Sequence, residues 1–435
     1  MARPNKAPEN GVGYNTCLSF QHHMIRAIKG TRDIFPPEVQ KWQFVERKAR
    51  EICSLYGYEE IRTPQFESTE LFARGIGEIT DIVTKQMFTF PVSGESVTLR
   101  PEGTAPVVRA FVEHGIDNES SITKWYYIGS MFRHERPQKG RYWQFSQFGI
   151  EVLGTENPAV DAEVIELLVR YIESAGAENL DLRLNSVGCK ACRPVYTAKL
   201  QEILRGRQME MCADCQVRIE KNPLRVLDCK VEKDQPIIDQ LPAIDDYLCP
   251  ECRSHFDTVQ GFLHTSEIPY TRDKRLVRGL DYYTKTTFEV LLPGLGAQNS
   301  VAGGGRYDGL VEELGGKPTK AIGFALGLDR LVLAIPDRST EASGVKIFIV
   351  SMSDQSFDFA YNHVQSVLRK AGISCEVDYQ RRSVKAAMRQ ADKRKVEWVI
   401  LIGDDEVLDG KVTLKHMKTG EQERYAIEEV VRKLL

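Results

Sequence analysis

MFRHERPQKGRYWQFSQFGIEVLG, residues 131–154, is the stretch on which the reading of this chain turns. It gathers Arg133, Glu135, Arg136, Gln138 and Arg141 around a Pro-Gly break. It then continues as an apparent strand with Gln147 and Glu151 among rings and small residues. Residues 125–135 and 142–153 read as the two strands of a hairpin, with the Pro, Gly and charges between them as a long loop. Successive side chains on a strand alternate between its faces. The odd positions are Trp125, Tyr127, Gly129, Met131, Arg133 and Glu135 on the first strand. On the second they are Arg141, Trp143, Phe145, Gln147, Gly149 and Glu151. Pairing these faces makes one surface of arginines, carboxylates, an amide, rings and glycines. Such a surface suits an anion carrying a flat ring with a small polar molecule beside it. A solvated sheet face with ordinary cross-strand ion pairs is the plain alternative.

Three further stretches favour the ligand floor. RPEGT (100–104) sets Glu102 in a tight turn before a helix. LVRGLDYYT (276–284) sets Arg278, Asp281, Tyr282 and Tyr283 around a Gly-Leu turn. GFALGLDRL (323–331) puts Arg330 in the first turn of a helix, whose N-terminus is itself an anion site. Together they offer four arginines for a polyphosphate and several acids for an amine and a ring N–H.

Outward from the hairpin, Trp42, Val45, Ala49, Ile52 and Cys53 have helical spacing before Gly57. YEEIRTPQFE (58–67) reads as one strand, and its Pro64 places it at an edge or interface. Residues 97–104 read as a strand entering a loop, with a helix to about His114, and 158–175 as a helix. Residues 186–262 concentrate cysteine and read as an insertion. Strands resume at 286–292 and 299–304, followed by a Gly-rich turn and a short helix. Residues 338–344 read as a linker. After it, strands and helices alternate as in a small α/β domain. Its basic helix carries Arg382, Lys385, Arg389 and Lys393 opposite Val384, Ala387, Met388 and Ala391.

The 435 residues are 42% hydrophobic and 27% charged, an ordinary globular balance. A net charge of −3 excludes a global basic field. No apolar run is long enough to span a bilayer, and the polar first 24 residues lack the apolar centre of a signal peptide. They read as a disordered extension, and the expected compartment is cytoplasmic. In that compartment the C-x-x-C pairs suggest metal ligation before disulfides. Cys189/Cys192 with Cys212/Cys215 fit a zinc pattern of the form C-x₂-C-x₁₉-C-x₂-C. An insertion must also return near its origin, which would instead bring Cys249/Cys252 to Cys189/Cys192. Reduced cysteines packed as small hydrophobes are the remaining alternative.

FRHERPQKGRYWQF is similar to the second signature motif of class II aminoacyl-tRNA synthetases, and GFALGLDRL to the third. The Pro64 strand resembles the first, which lies at the dimer interface in that class. LRPEGT, LVRGLDYY and GGGRYDGL narrow the resemblance to the histidyl-tRNA synthetase family, from about residue 25 to the C-terminus. GGGRYDGL lacks the Lys-Ser/Thr of a phosphate-binding P-loop.

The resemblance implies an α+β fold: a class II antiparallel sheet flanked by helices over 25–337, with an inserted, mainly helical subdomain at about 186–262. A C-terminal α/β anticodon-binding domain over 344–435 and a homodimer are also implied. So are the substrates ATP, L-histidine and histidine tRNA, with Mg²⁺ as cofactor and no membrane partner. Arg133 and Arg278 would act at the α-phosphate. Arg141 and Arg330 would hold the γ-phosphate, with Phe145 on adenine and Glu135 at its edge. Glu102, Thr104 and Gln147 would bind the α-amino group. Glu151, with Tyr283 opposite, would take the imidazole, lined by Tyr127 and Tyr282. Arg136 and Gln138 would meet the tRNA acceptor end. The alternative is a non-catalytic synthetase-like regulatory subunit of ATP phosphoribosyltransferase. Two residues depart from the family pattern. Trp143 is expected on the ATP side and to weaken ATP or acceptor-end handling. Ser146 is expected on the back of the sheet.

Overall fold

The computed structural model describes residues 24–336 and 345–435, apart from 78–79, 81, 119–120, 281 and 297–298. The linker at 338–344 and all of the N-terminal extension but Met24 lie outside the described residues, as does Asp281. The chain divides into two compact units, Met1–Ser339 and Thr340–Leu435.

The first unit holds strands β1 (Glu59–Glu60), β2 (Phe66–Ser68), β3 (Phe88–Val92), β4 (Glu95–Leu99), β5 (Thr123–Phe132) and β6 (Gln144–Leu153). These are followed by β7 (Asp181–Ser186), β8 (Thr271–Arg272), β9 (Thr284–Leu291), β10 (Ser300–Arg306) and β11 (Ala321–Gly327). Eight of them form one sheet in the order β1-β5-β6-β11-β10-β9-β7-β8, and β2-β4-β3 form a second. The large sheet is antiparallel except at its outermost pairs, β1 with β5 and β7 with β8.

The back of this sheet explains its register. Phe148, Ile150 and Val152 on β6, Phe288 and Val290 on β9, and Ile322, Phe324 and Leu326 on β11 are all buried in one core. Two helices cover them. Glu38–Leu55 buries Trp42, Val45, Ala49 and Cys53, one stripe at helical spacing. Pro158–Ser174 starts with a proline suited to the first turn, and the Asn157 side chain accepts from the Ala159 N–H at 3.0 Å. A one-residue slip of any strand would turn these rings to the other face, so the core fixes which residues face forward.

Two expectations change. YEEIRTPQFE is not one strand. Its ends are β1 and β2, in different sheets, and Pro64 lies between them. Proline has no N–H for a ladder and restricts Thr63, so the chain switches sheets there. The strand expected over 299–304 runs on to Arg306, with Gly305 inside β10, before the turn at Asp308-Gly309 and the short helix Leu310–Glu313.

Between β7 and β8 run the helices Arg193–Arg205, Ala213–Lys221 and Pro250–Thr265 with short 3₁₀ turns. Tyr196, Leu200, Leu204, Ile219 and Val226 give this insertion a core of its own, whereas Phe256, Val259 and Leu263 join the main core. In the second unit, β12 (Ile347–Ser351), β13 (Cys375–Val377), β14 (Trp398–Ile402), β15 (Lys411–His416) and β16 (Gln422–Ala426) form a sheet in the order β13-β12-β14-β15-β16. Its first three strands are parallel and its last two antiparallel.

One buried charge network ties β10 to the helix behind the sheet. Arg306 and Asp161 are fully buried and pair at 2.6 Å, and His255 Nε2 lies 2.9 Å from the same carboxylate. Removing one partner leaves a buried charge uncompensated, at a cost of about 3–5 kcal/mol. Arg306→Ala should therefore lower the unfolding free energy of the first unit by about that much, read by urea denaturation.

Candidate active site

The front of the sheet is built in rows. Tyr127 stands opposite Gly149, Gly149 opposite Ala325, Ala325 opposite Gly303, and Gly303 opposite Glu289. The next row runs Trp125, Glu151, Gly323, Gly305 and Thr287. The glycines are openings for neighbouring side chains. A methyl group on Gly303 would overlap the Arg278 guanidinium, and one on Gly323 would overlap the Glu151 carboxylate.

Two cavities lie on this face. One, of about 300 Å³, is lined by Arg133, Arg141, Arg278 and Arg330 together with Glu135, Phe145, Gln147, Glu289 and Ser300. The other, of about 170 Å³, is lined by Glu102, Thr104, Tyr282 and Tyr283. They share Arg133, Gln147, Arg278, Gly303 and Ala325, so they join. Four arginines far apart in sequence thus converge. Arg136 and Gln138 are exposed in the β5–β6 loop and line neither cavity.

Each cation is held in place. Arg278 Nη1 pairs with Glu289 Oε1 at 2.6 Å, and the Ser300 hydroxyl donates to the same oxygen at 2.6 Å. Burial opposes the Arg278 charge, but Glu289 and Tyr283 together outweigh it and its pKa is raised. Burial likewise works against the Glu289 charge, yet Arg278 and Ser300 hold it below the ordinary carboxylate range. Arg133 Nε donates to the Pro101 carbonyl at 2.8 Å, its guanidinium lies 5.4 Å from the Phe145 ring centre, and burial lowers its pKa. Arg141 pairs with Glu135 at 3.0 Å. Arg330 donates to the Ser300 and Gly140 carbonyls, and burial lowers its pKa.

The acids behave differently. Glu102 accepts from the N–H groups of Thr104 and Ala105 at 2.8 and 2.9 Å, capping the helix Thr104–Glu113. Glu151 is fully buried beneath the smaller cavity and accepts from the Thr104 hydroxyl at 2.7 Å and the Tyr307 hydroxyl at 2.5 Å. Burial pushes both carboxyls up, Glu151 well above the ordinary range. Among the described residues neither has a cation bonded to it. Tyr127 is also buried beneath the floor, and burial raises Tyr283 to about 12. Gln147 Oε1 is buried without a hydrogen-bond partner.

Tyr307 and Glu289 did not stand out in the sequence. Tyr307 was inside the quoted GGGRYDGL, and Glu289 occupies an odd position of β9 opposite Gly303, so the face rule could have found it. Trp143 needs correction. It lies one residue before β6 begins, where the two-residue period does not yet apply. Its ring packs over Gly30 and beside His134 and Phe88, and Nε1 donates to the Glu135 carbonyl at 2.8 Å. Tyr142, not Trp143, lines the larger cavity. Ser146 pairs with Ser130 in the register that turns Phe148 and Ile150 to the core. The cysteines form two groups. Cys189, Cys192, Cys249 and Cys252 meet, and Cys212 and Cys215 meet Cys229 and Asp234. The scheme joining Cys189/Cys192 to Cys212/Cys215 is overturned, because the chain returns from the insertion beside the place it left.

An antiparallel sheet offering one polar face to two joined, arginine-rimmed cavities is the catalytic architecture of a class II aminoacyl-tRNA synthetase. The family model for histidyl-tRNA synthetase matches residues 30–331, and that for an anticodon binding domain matches 345–435. A histidine–tRNA ligase of Solibacter usitatus is 50% identical over 413 residues, covering 94% of this chain and 99% of its own. One from Halothermothrix orenii is 48% identical over 402 residues, covering 92% and 96%. The apo Staphylococcus aureus histidyl-tRNA synthetase superposes with a TM-score of 0.80 at 39% identity, covering 94% of this chain and 99% of that one. The chain belongs to the histidyl-tRNA synthetase family.

A carboxyl whose pKa rises on folding adds stability at low pH and loses it as pH climbs from the unfolded value, about 4.3, through the folded one. Glu151 is such a group in the ligand-free protein. Glu151→Gln should therefore be more stable than the parent at pH 8, by a margin that shrinks towards pH 5. Urea titrations at the two pH values test this, and a margin independent of pH would refute it.

Proposed function

We propose that the chain is a histidine–tRNA ligase. It activates L-histidine with ATP to histidyl-adenylate and pyrophosphate, then transfers the histidyl group to the 3′-terminal adenosine of histidine tRNA. The observation that carries this reading is the convergence of Arg133, Arg141, Arg278 and Arg330 in a cavity joined to the Glu102–Tyr283 pocket.

In the first step a histidine carboxylate oxygen attacks the α-phosphorus, and the bond to the β-phosphate oxygen breaks. Such a reaction asks the protein for position and charge stabilisation. Arg278 and Arg133, at the junction of the cavities, take the α-phosphate. Arg141 and Arg330 take the γ end, and Phe145 takes the adenine face with Glu135 at its edge. Glu135 and Glu289 are carboxylates lining this cavity, oxygen donors of the type Mg²⁺ takes. Mg²⁺ supplies neutralisation of phosphate charge.

Glu102, Thr104 and Gln147 hold the α-ammonium group. Glu151, positioned by Tyr307, grips the imidazole with Tyr127, Tyr282 and Tyr283 around it. A pocket whose buried polar groups need both ring nitrogens rejects side chains that lack them. In the second step the ribose hydroxyl of the terminal adenosine attacks the acyl carbon and AMP leaves. Arg136 and Gln138, exposed on the β5–β6 loop, face the acceptor end. The intact arginine set and the matched anticodon-binding unit favour the ligase over the regulatory reading. Exposed Phe66, Phe90 and Val92 on the small sheet suit the homodimer. Among the described residues no helix is long and apolar enough to cross a membrane, and tRNA charging is cytoplasmic work.

Pyrophosphate–ATP exchange should occur with histidine and with no other amino acid. Arg278→Ala should lower its kcat about 10²–10³-fold, the loss typical of one transition-state donor. Tyr307→Phe should raise the histidine KM about tenfold or more, for one hydrogen bond to a charged group. Exchange unchanged in Arg278→Ala would refute the α-phosphate role.

In the C-terminal unit the helix Val384–Lys393 buries Ala387 and Ala391 and exposes Lys385, Arg389 and Lys393, while Arg382 pairs with Asp378. The three exposed cations suit anticodon-stem phosphates. Reversing their charges should weaken tRNA binding in fluorescence anisotropy and flatten the log–log salt slope by about 2–3. An unchanged slope would exclude this face.

A further inference from the structure

Eight side chains of the insertion have no task in the reaction above. In each of the two groups, four ligand atoms lie within 4.8 Å of one another. In the first, the Sγ atoms of Cys189 and Cys192 are 3.7 Å apart, those of Cys189 and Cys249 3.9 Å, and those of Cys192 and Cys252 3.8 Å. In the second, Cys212 and Cys229 are 3.9 Å apart, and Cys229 Sγ lies 3.3 Å from Asp234 Oδ2. Sulfurs bound about 2.3 Å from a tetrahedral zinc stand about 3.8 Å from one another. A disulfide needs about 2.05 Å. The cysteines are free thiols at the spacing of ligands around one ion.

We propose that the insertion binds two structural zinc ions, one through Cys189, Cys192, Cys249 and Cys252, the other through Cys212, Cys215, Cys229 and Asp234. Packed neutral thiols would explain buried sulfur, and the Cys229 thiol can donate to Asp234 Oδ2, but they give that carboxylate no countercharge. The Asp234 carboxylate is fully buried, held by the Cys212 N–H at 3.0 Å, and turned towards the sulfurs. Burying a carboxylate among thiols is costly, whereas a divalent cation gives it a partner. The sulfurs also receive backbone N–H groups, Cys189 N to Cys192 at 3.1 Å, Ala191 N to Cys189 at 3.4 Å and Val231 N to Cys229 at 3.4 Å. Such outer-shell donors support thiolate charge. On binding, each thiol releases its proton as its sulfur–zinc bond forms.

The architecture needs such staples. Between Gly206 and Cys249 the chain has one nine-residue helix, and otherwise 3₁₀ turns and a four-residue helix around a small core. Small cores of that kind are commonly closed by metal. The first site ties the start of the insertion to its return. The second holds the segment Pro223–Val226, from which Arg225 donates to the Gly279 carbonyl at 2.9 Å, next to Arg278. The inference does not depend on the reaction assigned to the chain.

The test is the metal content of the full-length chain, purified untagged with reductant and without chelator, by plasma mass spectrometry and zinc X-ray absorption. Two zinc ions per chain are expected. Each should have, on average, about 3.5 sulfur and 0.5 oxygen neighbours at about 2.3 and 2.0 Å. Cys249→Ser and Cys229→Ser should each lose one equivalent. Should neither variant fold, the parent's stoichiometry and sulfur count still decide. One zinc or none, iron in its place, or a shell of sulfur alone would overturn the proposal.

Discussion

Several side chains on the front of the large sheet lie along it where the strand beneath has no β-carbon. Gly303 admits the Arg278 guanidinium, Gly149 the Tyr127 ring, and Gly323 the Glu151 carboxylate. These glycines sit in rows across β6, β11 and β10, so the requirement is one of register. Register, in turn, is set from behind. Phe148, Ile150, Phe288 and Phe324 must face the core, and their odd-numbered neighbours are then obliged to face the ligand. The hydrophobic core and the polar site are thus two consequences of one alternation.

That dependence is why so much could be read in advance. The odd residues of β5 and β6 needed only a two-residue period, and the pairings Gly129–Gln147, Tyr127–Gly149 and Trp125–Glu151 follow from it. The period fails where the strand does. Residue 143 precedes β6, so Trp143 follows the loop and packs on Gly30, His134 and Phe88. The strand read over 299–304 was ended one glycine early, at Gly305, because local propensity knows nothing of the rings that need the space there. Strand β3, which pairs with the foreseen β4, and the last strand β16 were not foreseen. β3 is mostly exposed and contains Pro91, and β16 is polar, so neither shows clean alternation. The cysteine pairing was left open by spacing. It is settled by which ends of the insertion meet, a long-range fact.

The electrostatics separate the two cavities more sharply than their shapes do. In the larger one, cation meets carboxylate: Arg278 with Glu289 and Arg141 with Glu135. Those carboxylates keep the long arginine side chains fixed at the cavity wall. Positioning of this kind is where binding sites for polyphosphates gain most, because the ordering of the side chains is already done. The glutamates hold each guanidinium in reach without filling the cavity.

In the smaller cavity the balance is reversed. Glu102 gives its oxygens to two helix N–H groups, and Glu151 gives its own to two hydroxyls. Dipoles hydrogen-bond them, and the Glu151 carboxyl is raised by burial first, then by the neighbouring Glu102 charge. Arg133 and Arg278 reach this cavity at its junction with the larger one, but among the described residues neither carboxyl has a cation paired to it. A ligand bearing an ammonium group and a ring N–H supplies that pairing and lowers the cost of both carboxylates at once. A neutral ligand of the same shape does not. On the proposed reading selection rests on that pairing, and the burial that raises Glu151 is the cost an amino acid held there would relieve.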